Sequence, residues 1–172
     1  MYLWRTVLGD GGRTPALGTV TLRRYDPQTL RVWALASEKF SLPDRLERLL
    51  EVSGGWPQLI ERAAEHVSSG MEEGLALTAV AEELASPAGA AAFVQAVGIT
   101  GDEELVKAFS AVLSLVDTAG VALADLVAAA SMAVDDPDPA VACLQALGVF
   151  DVDNDGVYRP EPLLVRSWQH RA

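Results

Sequence analysis

The chain has 172 residues, half of them apolar, thirteen basic and twenty-four acidic, for a net charge of −11. That is enough apolar chain to bury a core of its own, in one domain or two small ones. The charge excludes nonspecific binding to nucleic acid or anionic membrane over most of the surface. The imbalance is uneven: residues 1–50 hold eight basic and five acidic residues, whereas residues 51–172 hold five and nineteen.

Residues 2–8 (YLWRTVL) and 16–24 (ALGTVTLRR) read as short strands, rich in β-branched and aromatic residues. The loop between them, GDGGRTP, has the glycines of a phosphate cradle. It lacks the lysine and Ser/Thr at GxxxxGK spacing, as does the rest of the chain, so it reads as an ordinary loop. The N-terminus shows no charged segment followed by an apolar run of signal-peptide length, and no stretch approaches a membrane span, so a soluble cytoplasmic protein is expected.

Asp26 and Pro27 make a cap and first turn for a helix to about Ser37, with Leu30, Trp33 and Ala34 on one side. Ser41 with Asp44 predicts a capping box for a second helix, which runs to the glycine pair Gly54–Gly55. Gly54 suits a left-handed helix stop, and Pro57 suits a first helical turn. The result is a sharp helix-Gly-Gly-x-Pro-helix corner. Leu46, Leu49 and Leu50 before it, and Leu59, Ile60, Ala63, Ala64 and Val67 after it, repeat at three and four residues, so both flanking helices have a buried stripe. Gly70 ends the helix beyond the corner. Further helices are expected over Met71–Leu84, with Leu77, Val80, Ala81 and Leu84 inward, and from Ser86 and Pro87 to about Gly98.

The stretch ITGD, residues 99–102, is the expected domain boundary. Beyond it Leu105, Val106, Phe109, Val112, Leu113 and Val116 form the clearest helical stripe in the chain, capped by Asp102. A turn at Thr118–Gly120, a helix over Ala122–Met132, the acidic run DDPDP and a helix over Pro139–Leu147 come next. Two short strands, VFDV and VYRP, joined by DNDG, and a closing helix in LLVRSWQHR complete the chain. Three helices followed by a hairpin are the pattern of a winged helix. The expected fold is therefore mainly α: short N-terminal strands (1–24), a helical bundle (25–98) and a winged-helix-like domain with a small β-hairpin (99–172).

The corner SGGWPQL and the preceding VTLRRYDPQTLRVWALA resemble the helical lid, and the strand and helix leading into it, of bacterial STAND signal-transduction ATPases, relatives of the AAA+ ATPases. Winged helices follow the lid in many of these proteins, so the likeness runs over roughly residues 18–168. The resemblance implies a lid without its P-loop half: a regulatory or interaction module that is not an enzyme and carries no cofactor in isolation. ATP or ADP would be contacted only with a P-loop ATPase core or another protein as partner. Pro57 is the position the resemblance assigns to the nucleotide base or ribose, with Gly55 and Trp56 beside it. Arg5, Arg23, Arg24 and Arg31 would face the missing half.

Two other functions are open to the sequence. A winged helix used on DNA would put its third helix in the major groove, but that segment offers Gln145, no Lys or Arg, and Asp135, Asp136 and Asp138, so DNA is not the expected partner. Asp151, Asp153, Asp155 and Gly156 match the opening of a calcium loop, yet its twelfth position is Pro162, with Glu161 one place early, so no metal is expected there. Cys143 is the lone cysteine and reads as a small core hydrophobe. His66 and His170 belong to no ligand spacing, and the pairs Glu72, Glu73 and Glu82, Glu83 read as a solvated face. The four tryptophans read as core or interface anchors, apart from Trp56 at the corner.

Overall fold

A computed structural model of the chain describes residues 24–115 and 120–171. The expected N-terminal strands, their connecting loop, Arg5, Arg23, Val116 and Thr118 lie outside the described residues. Among the described residues the fold is mainly helical, with nine α-helices and one two-stranded sheet.

Prolines open most of the helices, because a first-turn residue needs no N–H partner and proline's φ is already helical. They are α1 (Pro27–Ser37), α2 (Pro43–Ser53), α3 (Pro57–Ser68), α4 (Glu73–Ala85), α5 (Pro87–Val97), α6 (Glu103–Leu115), α7 (Leu123–Ala130), α8 (Pro137–Ala146) and α9 (Pro162–His170). A 3-10 turn, Ile99–Gly101, separates α5 from α6. Asp26 caps α1 by accepting the Thr29 N–H at 2.7 Å, and Asp102 caps α6 through the Glu104 and Leu105 amides, both as expected. Ser41 does not cap α2: the N-cap is Leu42, with no side-chain bond, and Pro43 sets the first turn in its place.

The chain divides into two units. The first contains residues 23–96 and 166–172. In it α1 packs on α2, α2 on α3 and α4, and α3 on α4, around Leu30, Phe40, Leu49, Ile60, Leu77 and Val94. The second contains residues 97–165. There α6, α7 and α8 pack pairwise, burying Leu105, Phe109, Val112, Leu126 and Leu144. The break thus falls at 96/97, and the last residues of α9 group with the first unit, whereas the sequence places the whole C-terminal helix with the second domain.

The sheet of the second unit is a hairpin, β1 (Phe150–Val152) against β2 (Tyr158–Pro160), antiparallel, with Phe150 opposite Pro160 and Val152 opposite Tyr158. Val121, between α6 and α7, adds an isolated bridge to Tyr158. Cys143 is buried on α8, and burial pushes its thiol up to about 11, which leaves it protonated and unreactive.

Candidate functional site

The corner between α2 and α3 forms where the glycine pair requires it. Gly54 ends α2 at φ 57° and Gly55 follows at φ 77°, both in the left-handed region that glycine enters without a Cβ penalty. The carbonyl of Leu50 accepts the Gly54 N–H at 2.8 Å, and the buried Ser53 hydroxyl accepts the Gly55 N–H at 3.2 Å. The Gly55 carbonyl in turn accepts the Tyr25 N–H at 2.7 Å, so the chain entering α1 is tied to the corner. Gly55 has no room for a side chain, because a Cβ there would meet the Tyr25 carbonyl oxygen.

Gly55, Trp56 and Pro57 are thus neighbours on one bend but differ in access. Trp56 is 3 % exposed and packs edge-on against Phe93, ring centroids 5.5 Å apart, with the Arg24 guanidinium 5.6 Å from its centroid. Its ring anchors the core, as was expected of the other tryptophans. Gly55 is buried as well, while Pro57 and Gln58 are half-exposed at the start of α3. The side-chain oxygen of Gln58 is buried without a hydrogen-bond partner among the described residues. Sequence reading passed over this amide, since a glutamine in a first helical turn carries no signal that its oxygen will be enclosed.

Glu72 and Glu82 are exposed, as a solvated face requires, while Glu73 is half-buried and Glu72, Glu73 and Glu83 each also hold a partner. Glu72 caps α4 by accepting the Leu75 N–H and pairs with Arg45 at 2.9 Å. Glu73 accepts the Phe40 N–H at 2.5 Å, holding a residue whose φ is 53°. Glu83 lies 3.1 Å from Arg62 Nε and 3.0 Å from His66 Nε2, and its hydrogen bond from Arg62 holds its carboxyl below the usual glutamate value. His66 is therefore tied between α3 and α4 instead of standing in solvent. Beside it an open cleft of about 730 Å³ is lined by Trp33, Lys39, Arg62, His66 and Ser68, with Glu61 and Glu65 balancing the cations. Lys39 donates to the Ser68 hydroxyl at 2.7 Å. Arg31 is exposed on α1 and lines a separate groove of about 510 Å³ against α2.

In the hairpin, Asp153 already uses both carboxylate oxygens. Oδ1 accepts the Asp155 and Val157 amides at 3.0 Å each, and Oδ2 pairs with Arg159 at 2.8 Å. The backbone bond from Val157, then Arg159, lowers its pKa. Glu161, the near match to a calcium ligand, is 3 % exposed and caps α9 through the Leu163 and Leu164 amides. Asp151 and Asp155 are exposed, and no cluster of three or more His, Cys, Asp or Glu side chains able to hold a metal occurs among the described residues. On α8 the exposed charges are Asp138 and, just before the helix, Asp135 and Asp136, with Gln145 half-buried and no cation. His170 is exposed at the end of α9. Among the described residues no helix is long and apolar enough to cross a membrane. No protein-family model, curated protein or solved structure matches the chain.

Proposed function

We propose that the chain is a non-catalytic regulatory module resembling the lid and winged helix of a STAND-type ATPase, one that meets nucleotide only beside a partner carrying the phosphate-binding loop. The observation that carries this reading is the corner itself. Two left-handed glycines and an N-terminal proline present half-exposed Pro57 at the start of a helix that buries Leu59, Ile60 and Ala63. Such a bend is stiff, so a ligand resting on Pro57 would bias the position of the whole of α3. With Trp56 and Gly55 buried, Pro57 is the contact and the neighbouring Gln58 amide the polar group nearest to it. The order α6, the Val121 bridge, α7, α8 and the hairpin supports the winged-helix half of the reading. The aspartates at α8 favour a protein surface over DNA as its partner.

The test has two arms. Titrated with ADP or ATP and magnesium, the chain alone should show no saturable binding up to about 1 mM, an affinity weaker than roughly −4 kcal/mol. Tight binding by the isolated chain, or hydrolysis, would overturn the proposal. A P-loop ATPase core encoded beside it or upstream should form a nucleotide-dependent complex, which Pro57→Ala weakens severalfold at unchanged melting temperature. A complex indifferent to both nucleotide and Pro57, or the lack of any such core, would also overturn it.

A further inference from the structure

The groove between α1 and α2 is lined mainly by apolar side chains. Of these Leu30 and Ala34 are buried, Leu46 and Leu50 are half-buried, and Leu35 on α1 is 66 % exposed. Val32 and Leu42, next in the chain to the lining residues Arg31 and Ser41, are also more than half exposed. A single exposed leucine is ordinary. Several around one apolar groove mark a contact surface.

Charge indicates what covers it. Residues 24–53, which span both helices, hold five basic and five acidic residues, whereas residues 54–172 hold five and eighteen. Two copies of so acidic a chain repel each other over most approaches, and the balanced α1–α2 segment is where that repulsion is least. Within the groove Arg31 stands on α1 and Glu47 on α2, both exposed. Neither takes part in an ion pair among the described residues, although Arg45 and Arg48 of α2 are paired with Glu72 and Glu51. Opposite charges on the two walls are complementary to their own copy, because a two-fold axis along the groove sets α1 of each copy over α2 of the other. We infer that the α1–α2 face joins two copies of this chain, with Leu35 of each entering the groove of the other and Arg31 of each meeting Glu47 of the second copy. An unrelated partner would have to supply a matching cation and anion. A second copy carries both already, and nothing in this contact depends on the likeness to an ATPase.

Sedimentation equilibrium of the intact chain should show it passing from monomer to dimer below about 100 µM, as suits a small, transient interface. Leu35→Glu, at a position too exposed to matter for folding, should weaken the dimer by about tenfold or more while the dilute chain melts at an unchanged temperature. Arg31→Glu alone and Glu47→Arg alone each set like charges against one another twice, and each should weaken it severalfold. Mixed together, these two variants should form a heterodimer about as tight as the parent dimer. In the mixture both contacts are opposite in sign across the interface while the charges within each chain stay alike, so recovery reports pairing between copies. A chain that stays monomeric to about 1 mM would overturn the inference. So would a dimer that Leu35→Glu leaves intact, a mixture of the two charge variants that associates no better than either alone, or open-ended growth beyond the dimer.

Discussion

At the scale of single residues, the corner depends on glycine for two separable reasons. Gly55 needs φ 77° and also needs to lack a Cβ, because the Tyr25 carbonyl occupies that space. Gly70, at φ 96° behind α3, needs only the backbone freedom, since nothing lies within 4 Å of its missing Cβ. Gly70→Ala should therefore cost about 1–2 kcal/mol, the usual penalty of a left-handed L-residue. Gly55→Ala should cost about 3 kcal/mol or more, since it adds displacement of a backbone oxygen that is tied into the corner. Chemical denaturation of the two variants compares them. Equal losses would mean that the Tyr25 contact is soft and that the corner is held by φ alone.

Among elements, the pairing of α3 with α4 joins an apolar seam to a polar rim. Ile60 and Ala63 are buried on α3 and Leu77 and Val80 on α4, the two helices being in contact, while Arg62 and His66 reach Glu83 at the edge. The Arg62 hydrogen bond holds the Glu83 carboxyl below its ordinary 4.5, so the folded chain keeps this charge where the unfolded chain is taking up a proton. Its stabilisation is complete above about pH 4.5 and is lost as the pH falls through the lowered folded value. Melting temperature measured against pH should show Glu83→Gln flattening that acid limb. At neutral pH the same change should cost less than about 1 kcal/mol, because the pair is partly exposed and screened. An unchanged acid limb would place the acid sensitivity in the other lowered carboxylates, Asp26, Glu72, Glu103 and Asp153.

For the whole molecule, charge and hairpin chemistry set what it binds. With Asp153 occupied by two amides and Arg159, and Glu161 by the α9 cap, millimolar calcium should leave the melting temperature unchanged. Asp153→Ala should lower it equally with and without calcium. A calcium-dependent rise that this substitution abolishes would restore the metal reading. The same surface, lacking any cation on α8, is expected to be repelled by duplex DNA.

Periodicity and punctuation in the chain determined which segments are helices and where most begin. Asp26, Asp102, the Gly54 stop and Pro57 act through bonds and φ values local to a few residues, which is why they can be read from the letters. Ser41 was misread because a proline two residues later starts a helix as effectively as a hydroxyl. What neighbours far along the chain do to a side chain was decided only in three dimensions. Trp56 stands in a turn yet is buried because Phe93 comes to it, Glu73 stands in an acidic pair yet serves the Phe40 amide, and the oxygen of Gln58 is enclosed without a partner among the described residues. Local geometry needs a handful of adjacent residues, whereas burial and pairing depend on which distant faces meet.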